Sequence, residues 1–112
     1  MREFEKKFHE LADKWAEETA VLSSPPQMRE NPNYKAIMEM VLDPKNELKS
    51  YDVTQKMIQL ILIDLIEHRR HWFWALSELT GENPIPSEDA GRIMKMIEAW
   101  KNWGIKKGYI NV

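Results

Sequence analysis

Apolar residues recur along the first 22 positions with the period of a helix. Phe4, Phe8, Leu11, Ala12, Trp15, Ala16, Thr19 and Leu22 follow one another at spacings of three and four and define one face. The other positions are mostly charged, and Glu3 with Lys7 and Glu10 with Lys14 are i,i+4 pairs in the favourable order. The pattern predicts a helix over residues 2–22, closed by Pro25 and Pro26, which cannot continue it. Residues 23–33, "SSPPQMRENPN", read as a polar connection. Asn31-Pro32 has the form of an N-cap followed by proline at the first helical position, which predicts a helix over 32–42. Tyr34, Ile37, Met38 and Val41 are its expected inward residues, and 43–51 is expected to be a loop and the most mobile part of the chain.

Asp52 is a second start signal, with Gln55 at the reciprocal capping position. From Met57 to Ile66 almost every residue is apolar, which predicts a helix over 53–67 that is covered on most sides and central to the fold. Near 67–70 the chain either turns or runs straight on; the turn is the favoured reading and leads to a helix over 70–80, stopped by Gly81 in the left-handed position. "GENPIP" reads as a rigid loop. Ser87 is expected to cap a last helix that has Glu88 and Asp89 in its first turn and runs to about 107. Its predicted inward face is Ala90, Ile93, Met94, Ile97, Trp100 and Gly104, with Gly108 as the stop and "YINV" as a short tail. The fold class that follows is all-α: a compact bundle of about five helices around 53–67, with Trp15, Trp72 and Trp100 as large core blocks.

At 112 residues the length predicts a single helical domain, and 43% hydrophobic with 30% charged residues is a globular composition. Cysteine is absent, which removes disulfides and thiol chemistry and suits a reducing compartment. The first residues, MREFEKKFHE, have no apolar core of a signal peptide, and the longest apolar run, "LILI", is too short to span a bilayer. A soluble cytoplasmic protein is the resulting expectation. The net charge of −2 does not point to nucleic acid. The basic residues Arg92, Lys95, Lys101, Lys106 and Lys107 gather in the last helix, where they favour the negative end of its dipole.

Four features bear on chemistry. Trp72, Phe73 and Trp74 cannot share a face, because successive helical residues lie about 100° apart. Trp72 and Phe73 fall with Ala75, Leu76 and Leu79 and read as core. Trp74 points away with Ser77 and Glu78, which makes it the candidate anchor for another protein. Met28 and Tyr51, in the two expected loops, complete that candidate partner-binding set. Asp64, His68 and His71 stand at i, i+4 and i+7 and could face one metal ion on an unbroken helix, but a solvated helix junction explains them as well. No Ser, His or carboxylate grouping has a catalytic context, so the reading is a non-enzyme without cofactor. In "EAWKNWGIKKGYI", Trp100, Trp103 and Tyr109 alternate with Lys101, Lys106 and Lys107. This carries the alternative reading of a small nucleic-acid-associated regulator, against a helix docked by its tryptophans with a solvated lysine edge.

The motifs resemble those of a group of small, largely uncharacterised bacterial proteins, often encoded near mobile elements. The matching residues are Ser23-Ser24, Asn31-Pro32 with Tyr34, Trp72 to Leu76, Thr80-Gly81-Glu82, Pro84, Ala99-Trp100, Trp103-Gly104 and Gly108-Tyr109, spread over most of residues 8–110. The chain departs from that pattern by inserting "VLDPKNELKSYD" before the central helix and by carrying Arg69-Arg70 where a proline usually precedes the aromatic helix. A weaker likeness is to a HEAT-like repeat, which implies an antiparallel helix pair at the centre. Neither resemblance brings a catalytic residue. The function expected is a non-catalytic cytosolic module that binds another protein.

Overall fold

The computed structural model describes residues 2–19, 25–41 and 50–111. They form an all-α protein. Its helices are α1 (Arg2–Thr19), α2 (Pro25–Glu30), α3 (Pro32–Met40), α4 (Ser50–His68), α5 (Phe73–Thr80) and α6 (Ile93–Lys107), with a 3₁₀ turn at Ser87–Asp89 before α6. No strand occurs among the described residues. None of their helices is long and apolar enough to cross a membrane. The chain divides into two compact units, Met1–Val53 and Thr54–Val112.

In the first unit α1 packs most extensively on α3. Phe8, Ala12, Trp15 and Thr19 form its buried stripe, spaced by four, three and four residues as one helical face requires. Tyr34, Ile37 and Met40 bury from α3. Met38 and Val41, expected inward, are only half-buried, because the inward row runs through Met40. The Trp15 and Tyr34 rings lie 5.7 Å apart. Trp15 Nε1 donates to the Met28 carbonyl at 2.8 Å, so the indole is buried without losing its hydrogen bond. Residues 25–30, expected as part of a polar connection, are the helix α2. Prolines cannot continue a helix but fit its first turn, where no amide donor is needed. Asn31 caps α3 as predicted, accepting from the Asn33 amide at 2.9 Å, with Pro32 at the first position. Glu18 of α1 reaches the same corner and accepts from Asn31 Nδ2 at 3.2 Å and Asn33 Nδ2 at 3.0 Å. The α2–α3 corner is thereby tied to α1.

In the second unit α4 buries Met57, Ile58, Leu60, Ile61, Leu62 and Leu65, the wide apolar surface predicted for it. The helix begins at Ser50, earlier than expected, with Asp52 inside its first turn. Of the expected loop at 43–51, residues 42–49 lie outside the described residues and 50–51 belong to α4. Phe73, Ala75 and Leu76 bury from α5, which ends at Gly81 with φ 71°. Thr80 Oγ1 donates to the Leu76 carbonyl at 2.7 Å and accepts from the Glu82 amide at 3.1 Å, closing that end.

The start of α6 differs from the prediction. Ser87, Glu88 and Asp89 form a separate 3₁₀ turn, Gly91 takes φ 85°, and α6 begins only at Ile93. Ala90, Ile93 and Met94 are consequently exposed rather than inward. The buried face is Ile97, Trp100, Trp103 and Gly104, and Gly108 closes the helix in the left-handed conformation. A Cβ on Gly104 would stand 2.9 Å from Leu62 Cδ1 and 3.1 Å from Ile110, so glycine permits a close approach of α6 to α4 and to the tail. Tyr109 stacks on Trp103 at 5.4 Å, and its carbonyl accepts from Gln59 Nε2 at 3.1 Å. The "YI" of the tail is part of the packing.

Candidate functional site

The most unusual side chain in the second unit is Asp64. It lies on α4 in the middle of an apolar run and is only 2% exposed. An unpaired carboxylate in such a place would cost several kcal/mol. Two donors converge on it, and an imidazole lies nearby. Trp72 Nε1 donates to Oδ2 at 2.6 Å, and Arg70 Nη1 lies 3.1 Å from Oδ1 and 3.3 Å from Oδ2. His68 Nε2 lies 3.9 Å from Oδ1, an ion pair when the imidazole is protonated. These donors come from the junction that follows α4. The helix ends at His68, Arg69 adopts φ 55°, and Trp72, fully buried, is the residue before α5.

The break settles the geometry on which the metal reading depended. That reading needed Asp64, His68 and His71 on one continuous helix, and His71 lies beyond the end of α4, its ring 6.0 Å from that of Phe73. Among the described residues no group of three or more His, Cys, Asp or Glu side chains is gathered in a way that could hold a metal ion. The Asp64 carboxylate is committed to the junction. Buried and bonded to Trp72 and Arg70, it holds two segments together.

Sequence reasoning placed Asp64 only as a polar flank or a metal candidate and missed its pairing with Trp72 and Arg70. The signal was available: one acidic residue in an apolar run must find donors.

The residues proposed for partner binding stand on three different helices, α2, α4 and α5. Trp72 and Phe73 are core, at 0% and 7% exposure, as their spacing predicted. Trp74 is half-buried on α5. Met28 is buried, and its backbone carbonyl is the acceptor for Trp15, so its side chain is not an exposed anchor. Tyr51 belongs to α4, and its side chain lies outside the described residues. Among the described residues, the large apolar side chains that stand most clearly in solvent are Ile93 at 41% and Met94 at 58% exposure, adjacent at the start of α6. Their periodicity with Ile97 hid them, since it assigned them to the core.

The basic end of α6 keeps its cations but not a stacking surface made from its tryptophans. Lys106 and Lys107 are exposed and Lys101 is half-buried. Lys107 Nζ lies 3.9 Å from Glu82 Oε2. Trp100 and Trp103 are buried against each other, ring centroids 5.2 Å apart, and Trp103 carries Tyr109 on its face. Bases need open aromatic faces to stack on.

No family model, curated protein or solved structure matches this chain. The resemblance to the bacterial group therefore rests on the motif residues alone.

Proposed function

We propose that this chain is a non-catalytic, cytoplasmic helical module that binds another protein, from a bacterium or its mobile elements. The observation that carries the reading is the adjacent, solvent-facing pair Ile93 and Met94. Apolar side chains of this size in water are natural anchors for a partner, and a flexible Met adapts to its surface. Trp74, half-buried, is a further candidate anchor. The lack of cysteine accords with a reducing compartment. The order of α4, a short turn and α5 supports reading them as a HEAT-like pair within the same proposal.

The test is a pull-down with the full chain, comparing wild type with Ile93→Asp/Met94→Asp and with Trp74→Ala. A partner captured by wild type should be lost with the double variant while its circular dichroism and melting point stay unchanged. A partner held equally by all three baits, or no partner at all, overturns the reading. The nucleic-acid alternative predicts a gel shift at low salt that weakens as salt rises, and Lys106→Ala/Lys107→Ala should reduce it.

A further inference from the structure

The α4–α5 junction breaks a helix without any of the usual residues for doing so. Residues 64–80, "DLIEHRRHWFWALSELT", contain neither glycine nor proline. Arg69 nevertheless takes φ 55°, the left-handed region that non-glycine residues enter at a cost. Among the described residues it is the one non-glycine position with positive φ. Something outside the local sequence must hold it there.

The Asp64 contacts have the required property, because they exist only when the helix is broken. In an unbroken α-helix Trp72 would lie about 12 Å further along the axis than Asp64, and Arg70 about 9 Å further and on the far side. A carboxylate on a one-carbon stem could not meet both. In the broken form the indole nitrogen is 2.6 Å away and the guanidinium nitrogen 3.1 Å. We infer that Asp64 is a conformational latch: it selects the broken junction over a continuous α4–α5 helix, which remains the local preference of residues 69–72. Arg70 and Trp72 are the two catches. Arg70, with its side chain 18% exposed, is the catch nearer to solvent.

The inference is tested by NMR on the full chain. Arg69 of the wild type should show the Cα shift and HN–Hα coupling of a left-handed residue. Asp64→Leu removes the anion altogether, and Arg70→Met/Trp72→Phe removes both donors while keeping the apolar bulk, so one variant remains informative if the other does not fold. In the folded variant, the Cα shifts of residues 69–72 should move to helical values, and the Arg69 coupling should fall to that of a helix. Amide exchange at His71 should slow at least tenfold as its amide takes a helical partner. Wild-type shifts at Arg69 in a folded variant overturn the inference, because another contact then holds the break. Random-coil shifts at 69–72 also overturn it, because a continuous helix is then not the alternative state. If neither variant folds, Asp64 is needed for the fold itself, and the latch is equally overturned as a selector between two folded arrangements.

Discussion

Two helix junctions in this protein turn the chain by different means. At Asn31-Pro32 the instruction is local: a side chain that caps the next helix, followed by a ring that already has the helical φ. The neighbour Glu18 adds hydrogen bonds from α1, but the corner is written in two adjacent residues. At residues 69–72 no adjacent glycine or proline imposes a break. Arg69 is held in the left-handed region at a junction gripped by a carboxylate five residues earlier in sequence and buried among apolar side chains. The first junction should therefore survive changes elsewhere in its unit. The second should fail when one distant group is altered.

The strongest way to break this contrast is Asp64→Ala. It leaves the Trp72 N–H and the Arg70 guanidinium without their shared acceptor, and about 3 kcal/mol of stability should be lost in urea denaturation. A loss below about 1 kcal/mol would mean that packing alone holds the second junction. Asn31→Ala should cost less, about 1 kcal/mol, because only one cap is removed and Pro32 still starts the helix. A cost equal to that of Asp64→Ala would erase the distinction between local and tertiary junctions. The smallest effect sharpens it. Arg69→Gly relieves the left-handed penalty but adds freedom to the unfolded chain, so a net gain of no more than about 1 kcal/mol is expected. A clear loss of stability, read as a lower melting point, would show that Arg69 does not hold positive φ in solution.

The legible parts of the fold are those in which neighbours in sequence are also neighbours in space. The Phe8–Ala12–Trp15–Thr19 stripe, the Asn31 cap and the glycine stops at 81 and 108 follow from helical spacing and from the backbone freedom of glycine. The start of α6 was misread for the same reason. Ser87 with Glu88 and Asp89 is a sound local start signal, but Gly91 at φ 85° interrupts it, and a periodic apolar row then leaves Ile93 and Met94 in solvent. Of the candidate sites, Trp72 and Phe73 were legible as core. Met28 was not, because residues 25–30 read as a polar connection and fold as helix α2.

The sequence alone determined the all-α class, the apolar faces of α1 and α4 and the ends marked by Asn31, Gly81 and Gly108, since each depends on residues within one or two helical turns. Only the tertiary structure decided what Asp64 does. The cost of burying a charge is met by donors six and eight residues away, and whether they reach it depends on the path of the chain between them, which no helical spacing records. The same holds for Ile93 and Met94: periodicity says which residues share a face, and only packing says whether that face is covered.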